Sequence, residues 1–446
     1  MIGCAPAVLA RAARQARLNV VLIVADDLGS GDLSCYGAPD IRTPNIDGIG
    51  ARGVRFAKFY SNAPDCSPTR SALMTGRYQH RVGGLECAIG VGNVGRYDDA
   101  EWLAGRGELG LPVSEITLPR ILKNAGYDTG CFGKWHLGYG EKFSPNRHGY
   151  DEYFGIIGGN ADYFTHREEG GLNALYHNGK PIERQGYTTD LIADEAIRWL
   201  KQRPAERPFF LYVPFTAPHT PIQDPDGYDP RTGTTPVRQG DRKTYARMVE
   251  RKDRRVGDIL AQLQAMGVAD RTLVIYHSDN GADPNGRNDP LRGRKGTVWE
   301  GGIRVPCLMR WPGVLPEGRT ISQVGITMDL LPTILAGAGV APPPGRKFDG
   351  LNLLPMLTGK SPPIARTLFW RAKRADRVRK AVREGDLKLV LDEGKEELHD
   401  LAADEREERN LLPGAADAAA RLRAKLAVWE REVMASRLRP FRSTPG

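Results

Sequence analysis

Cysteine is scarce in this chain: six residues (Cys4, Cys35, Cys66, Cys87, Cys131 and Cys307) are spread over 446 positions without paired spacing. That pattern supplies neither a disulfide framework nor a zinc site. No apolar run is long enough to span a bilayer, and no internal repeat recurs. The formal net charge is +9, yet no nucleic-acid recognition motif accompanies it. Basic residues are scattered, and the one dense run, residues 371–383, is followed by an acidic stretch over 392–408. These are the marks of a solvated surface, so neither a nucleic acid nor a membrane is expected as a partner.

What remains is an ordinary globular composition, 40% hydrophobic, in a chain longer than one core usually supports. Residues 1–17 place Ala-Pro-Ala-Val-Leu-Ala ahead of three arginines, an order unlike a secretory signal, and are expected to be a flexible leader. The compartment stays open. Residues 18–362 are expected to form the main domain. The proline-rich segment 340–345 looks like a linker, and after Pro363 the pattern changes to short strands and an alanine-rich helix over 415–433. Residues 363–446 are therefore expected to be a small antiparallel α+β domain.

Three apolar, β-branched runs read as strands buried on both faces, at 18–25, 208–215 and 272–276. Each ends in polar chemistry: Asp26-Asp27, His219 a few residues on, and His277-Ser278-Asp279-Asn280. Ligands of open α/β sheets gather at carboxyl ends of strands, and paired carboxylates repel unless a cation joins them. Asp26, Asp27, Asp279 and Asn280 offer hard oxygen ligands without a thiolate or imidazole set, which favours calcium or magnesium over zinc.

Another strand is expected over 54–60, and then comes Pro64-Asp65-Cys66-Ser67-Pro68-Thr69-Arg70-Ser71-Ala72-Leu73-Met74-Thr75-Gly76-Arg77, a loop delivering a cysteine to a helix start. Pro68 suits the first turn and puts Cys66 and Ser67 in the cap region, where free N–H groups favour negative charge. Residues 83–111, rich in glycine and charge with little periodicity, are expected to be a surface insertion near the site's mouth. A strand over 127–132 leads into Gly133-Lys134-Trp135-His136-Leu137-Gly138. In extended chain Lys134 and His136 would face one pocket. Later, Lys295 precedes the segment Trp299-Glu300-Gly301-Gly302.

Cys66-Ser67-Pro68-Thr69-Arg70 with Met74-Thr75-Gly76-Arg77 resembles the signature of the type I sulfatases, whose cysteine is oxidised to formylglycine. Gly133-Lys134-Trp135-His136-Leu137-Gly138 resembles a second motif of that family. The likeness runs from about residue 18 to 412 and is nearest the arylsulfatase A and N-acetylgalactosamine-6-sulfatase branch. It departs at Asp65, where a less polar residue usually stands.

This resemblance implies an α/β, alkaline-phosphatase-like fold, with a large mixed sheet between helices. It implies a sulfuric ester hydrolase acting on an aryl or carbohydrate sulfate, matured by a formylglycine-generating enzyme. Asp26, Asp27, Asp279, Asn280 and the modified Cys66 would hold Ca2+, with Mg2+ as the alternative. Arg70 and Lys134 would hold the hydrated aldehyde, and His136 would act as base. His219 and Lys295 would grip the sulfate oxygens and help protonate the leaving oxygen. Specificity is expected in residues 83–111, 158–180 and 282–292. Two other readings fit these residues: a phosphonate monoester or phosphodiester hydrolase using the same modified cysteine, and a silent binding protein whose Cys66 stays a thiol.

Overall fold

The computed structural model describes residues 17–204, 206–229 and 239–433, so the expected leader lies outside them but for Arg17. In chain order its first strands are β1 (Asn19–Ala25), β2 (Val54–Phe56), β3 (Phe59–Tyr60), β4 (Asp128–Phe132), β5 (Glu152–Ile156), β6 (Leu175–His177), β7 (Lys180–Pro181) and β8 (Phe209–Pro214). They are followed by β9 (Thr272–Ser278), β10 (Cys307–Arg310), β11 (Arg319–Ile321) and β12 (Gly325–Ile326). Ten of them form one mixed sheet in the order β11-β2-β10-β9-β1-β8-β4-β5-β6-β7. At its centre β1 lies parallel to both β8 and β9, while β10 runs antiparallel to β9.

The unbroken apolar run of β1 has a simple cause. Val20, Leu22 and Val24 point into one core, and Val21, Ile23 and Ala25 into the other. With both faces covered by helices, neither set of alternating positions can be polar. One cover is the helix Arg242–Ala265, whose Tyr245, Met248, Val249, Val256, Ile259 and Leu263 are buried against the sheet.

Past the main sheet, β13 (Thr367–Arg374), β14 (Arg377–Glu384), β15 (Leu387–Asp392) and β16 (Lys395–Asp400) form an antiparallel sheet. The helix Ala416–Val433 packs on it through Leu422, Leu426 and Trp429. Their cluster also contains Tyr60, Ala72, Tyr78, Trp299 and Ile303. The second sheet is thus joined to the Cys66 helix and the Trp299 turn by shared apolar packing.

Two expectations need correction. The strand expected over 54–60 is two strands, β2 and β3, in different sheets. Residues 83–111 are no surface insertion: Leu85, Cys87, Ile89, Leu103, Leu109 and Leu111 are buried in the main core, and Asp98–Gly105 is helical. The segment's apolar residues are spaced irregularly, so no period marks them as core. Residues 177–180 do form the expected tight turn, with Asn178 and Gly179 at φ 48° and 80° as a type I′ hairpin requires.

Candidate active site

Asp26 and Asp27 leave the end of β1, and Asp279 and Asn280 leave the end of its neighbour β9. Parallel pairing of two adjacent strands therefore brings all four side chains to one edge. Asp27 has φ 61°, a strained value for a residue with a Cβ and one that clusters at functional sites. Its main-chain N–H donates to Asp279 Oδ1 at 3.3 Å, and its Oδ1 accepts from Asn280 Nδ2 at 2.7 Å.

The helix Cys66–Thr75, buried along its whole length, presents Cys66 to this edge. Its cap differs from the expected one. Asp65 is the N-cap, with Oδ1 accepting from the Cys66 N–H at 3.0 Å, so Cys66 is the first helical residue and Pro68 the third. Asp65 Oδ2 also accepts from Ala88 N at 2.9 Å, and Ser67 Oγ accepts from Ile89 N at 3.1 Å. The polar residue at 65 thus ties the cysteine turn to the buried residues 83–90.

Cys66 donates to Asp26 Oδ1 at 3.4 Å. Lys134 Nζ donates to Cys66 Sγ at 3.4 Å and to Asp26 Oδ2 at 2.6 Å. Arg70, one helical turn beyond Cys66, donates from Nε to Asp279 Oδ2 at 3.0 Å and from Nη1 to the Lys134 carbonyl at 2.9 Å. Opposite, Lys295 Nζ donates to Asp27 Oδ2 at 2.7 Å and lies 3.1 Å from His219 Nε2.

Charge in this pocket is matched one for one: Asp26 by Lys134, Asp27 by Lys295 and Asp279 by Arg70. Burial works against the charge on both lysines, but the Asp26 and Asp27 carboxylates outweigh it and hold both above the usual lysine range. Burial, and then Asp26, pushes the Cys66 thiol well up. An unmodified Cys66 here is a protonated, weak nucleophile.

The histidines take distinct states. His219 Nδ1–H donates to the Thr220 carbonyl at 2.6 Å, so Nε2 carries the lone pair that faces Lys295. Burial and Lys295 bring its pKa down to about 3, leaving the ring neutral. His136 does not sit in extended chain beside Lys134; its φ is 55°. Its Nε2–H donates to the Ile89 carbonyl at 2.9 Å, and its Nδ1 is buried without a partner. Burial, then Lys134, holds it well below the usual histidine value.

Several supporting residues were not legible in the sequence. Buried Asp32 accepts from Tyr245 Oη at 2.7 Å, from Arg242 Nη1 at 2.6 Å and from the Arg287 N–H at 2.9 Å, anchoring the loop after Asn280. Lys252, fully buried, donates to the Ala217 carbonyl at 3.4 Å beside the His219 turn. The Asp26-Asp27 pair was the only signal for Asp32. Lys252 lies on a helix whose apolar face hid it.

Oxygen donors here suit a hard divalent cation. Ligand atoms of Asp26, Asp27, Cys66 and His219 lie within 4.8 Å of one another. Asn280 Oδ1 is buried with no partner, an orphan that a cation would satisfy. Burial and the neighbouring Asp26 raise Asp279, a sign of crowded carboxylates.

The sulfatase family model matches residues 18–340, and the model for the C-terminal part of N-sulphoglucosamine sulphohydrolase matches 294–432. The chain is 38% identical to human N-acetylgalactosamine-6-sulfatase over 356 residues, 76% of this chain and 65% of that one. It is 35% identical to human arylsulfatase A over 413 residues, 83% of this chain and 74% of that one. It thus spans just under two thirds of the length of the former relative. Among solved structures, Ps i-CgsB in complex with k-i-k-neocarrahexaose superposes with a TM-score of 0.81 at 31% identity, covering 93% of each chain.

Proposed function

Because this chain belongs to the sulfatase family, we propose that it hydrolyses a sulfate ester, through a formylglycine made from Cys66, to an alcohol and inorganic sulfate. The observation that carries this reading is Cys66 itself. It stands at the first position of a buried helix, between Asp26 and Lys134, where the thiol is held protonated. The residues around it suit an oxygen nucleophile better than a sulfur one.

Water adds to the aldehyde carbon of residue 66 to give a geminal diol. One hydroxyl gives its proton to Asp26, the carboxylate to which the residue-66 side chain donates, and its oxygen attacks the sulfur of the ester; the bond from sulfur to the alcohol oxygen breaks, and a sulfated residue 66 remains. The departing oxygen takes a proton. Lys295, protonated and donating to Asp27 and toward His219, is the donor, while neutral His219 accepts from it through Nε2 and so orients it. The second hydroxyl then loses its proton to the free Nδ1 of His136. Its electrons re-form the carbonyl and expel sulfate, so no water has to reach the hindered sulfur. Lys134 and Arg70 hold the diol and compensate the carboxylates.

Asp26, Asp27, Asp279, Asn280 and residue 66 would hold a divalent cation, with Ca2+ favoured by the all-oxygen set. When bound, it supplies Lewis-acid stabilisation of the sulfate oxygens and the nucleophile. Three carboxylates and three cationic side chains cancel, so a divalent ion gives the pocket a net positive charge that suits an anionic group.

A carbohydrate sulfate is the proposed substrate class, supported by two named relatives: N-acetylgalactosamine-6-sulfatase at 38% identity and the neocarrahexaose complex. The test is peptide mass spectrometry of the Cys66 fragment from protein made with a formylglycine-generating enzyme, followed by assay of sulfate release. Aldehyde at residue 66 with release of sulfate supports the proposal. A thiol in protein from its own host, or an aldehyde-bearing protein that releases no sulfate, overturns it.

A further inference from the structure

The basic run 371–383 has no part in the chemistry above, yet the fold carries it to the edge of the site. Arg379 Nη1 donates to the Gly296 carbonyl at 2.8 Å, one residue after Lys295. At the far end of the same hairpin, the Ala375 N–H donates to the Arg96 carbonyl at 2.7 Å. The β13–β14 hairpin therefore touches both the Lys295 turn and the 83–97 segment.

Most of its cations are already engaged. Arg371 pairs with Glu86 at 2.7 Å, Lys373 with Asp98 at 2.6 Å, Arg379 with Asp392 at 2.7 Å and Lys380 with Glu430 at 2.7 Å. Arg374, exposed at the tip, has no ion pair or side-chain hydrogen bond among the described residues. The same holds for Arg96, which its main chain joins to that tip, and for exposed Arg294, next to Lys295.

Arg294 adjoins Lys295, and the hairpin that braces the Lys295 turn carries Arg374 and, through Ala375, holds Arg96. The Lys134 side chain is 0% exposed but that of Lys295 is 19% exposed, so access is from the Lys295 side. Partly buried Asp283 feels Asp27 and Lys295 of the site together with Arg294. Cys87 feels Asp65, the cap of the Cys66 helix, together with Arg96 and Arg374. Arg96 Nε also lies 3.4 Å from where a Cβ on Gly90 would stand, beside Ile89, whose carbonyl holds His136.

We propose that Arg96, Arg294 and Arg374 form an anion-binding rim at this mouth, which takes a carboxylate or a second sulfate on the sugar adjoining the one that is desulfated. The substrate is then an anionic oligosaccharide, neither a neutral aryl sulfate nor a steroid. This inference rests on the sulfatase reading. Guanidinium groups suit both kinds of anion, because each offers paired oxygens to the planar fork.

The test uses full-length Cys66→Ala protein, which binds without turnover, and measures calorimetric affinities for N-acetylgalactosamine 6-sulfate and a chondroitin 6-sulfate tetrasaccharide. The tetrasaccharide should bind at least tenfold more tightly. An R96Q/R294Q/R374Q rim should lose at least tenfold on the tetrasaccharide and less than twofold on the monosaccharide. A control, R42Q/R52Q/R254Q, removes the same charge around the helices Pro44–Ala51 and Arg242–Ala265, and should change neither by more than twofold. Equal loss in the control, no loss in the rim variant, or no advantage of the tetrasaccharide would overturn the rim. Aldehyde-bearing protein with its rim intact is assayed alongside for sulfate release from 4-nitrophenyl sulfate and the tetrasaccharide. Release with an indifferent rim discards the rim alone, and no release from either discards the sulfatase reading.

Discussion

Arg379, on the second sheet, holds the carbonyl of Gly296 at 2.8 Å, and Gly296 in turn donates its N–H to the Pro64 carbonyl at 2.8 Å. One side chain from the C-terminal sheet thus braces the Lys295 turn against the segment that delivers Cys66. Replacing Arg379 by Ala removes this hydrogen bond, worth about 1 kcal/mol, together with partly exposed pairs to Asp392 and Glu393 that add little. We expect kcat to fall roughly fivefold for that loss with Tm little changed. Arg379→Lys should recover part of kcat; an equal loss in both variants, matched by a large drop in Tm, would reduce the role to folding.

A second link from the C-terminal sheet to the Trp299 turn is fully buried. Lys388 Nζ lies 2.9 Å from Glu300 Oε1 and 2.9 Å from Glu407 Oε1, and Glu407 Oε2 accepts from the Glu300 N–H at 2.7 Å. Burial raises Glu407 to about 7, with Lys388 opposing. Lys388→Met leaves two buried carboxylates without their cation, a loss of about 3–5 kcal/mol. Denaturant unfolding at pH 7.5 should show it. Because Glu407 then readily takes a proton, K388M/E407Q should recover part of the stability. If K388M unfolds at the wild-type midpoint, the cluster is not stabilising.

The edge that carries the proposed site was legible because its chemistry follows apolar runs directly: Asp26-Asp27 after β1 and Asp279-Asn280 after β9. Strand pairing then fixes their meeting, and no loop geometry has to be guessed. The family resemblance pointed to Cys66, Arg70, Lys134, His136, His219 and Lys295; in the structure Cys66, Lys134 and Arg70 are in direct contact, as are Lys295 and His219. His136 differs: its link runs through the Ile89 carbonyl, in a segment whose irregular apolar residues gave no period. Arg379 and Lys388 stayed hidden for another reason. A charged residue on an antiparallel strand looks like solvated surface until its partner, a distant main-chain carbonyl or a buried Glu300, is known.

Cation removal separates binding from turnover. If Asp26, Asp27, Asp279 and Asn280 hold a divalent ion, it binds the folded chain alone and raises stability by mass action, about 2.7 kcal/mol at a hundred times its dissociation constant. Chelation with EGTA should lower Tm by several degrees even in Cys66→Ser protein, and Ca2+ should restore it. Asn280→Ala, which removes the orphan oxygen, should need more Ca2+ for the same rise. A Tm indifferent to EGTA and Ca2+ would argue against an ion at these residues.

Two buried histidines away from the proposed site, His80 and His148, contribute to acid sensitivity of the fold. His80 packs edge-on against Trp429 with ring centres 5.0 Å apart, and His148 against Trp135 at 5.4 Å. Burial is the first cause that lowers each to about 3, with Arg371 and Arg120 respectively adding to it. An unfolded histidine titrates near 6.5. Between pH 6.5 and 3 the unfolded chain therefore binds more protons than the folded one, so stability is complete above pH 6.5 and declines as pH falls through that window. Each residue contributes a slope of about 1.4 kcal/mol per pH unit. His148→Phe keeps the aromatic packing against Trp135 and removes the titration. Urea unfolding at pH 7 and pH 5 should show the stability difference shrink by about 2 kcal/mol in this variant. An unchanged difference would mean that His148 is protonated in the folded protein, and that the acid limit is set by other groups.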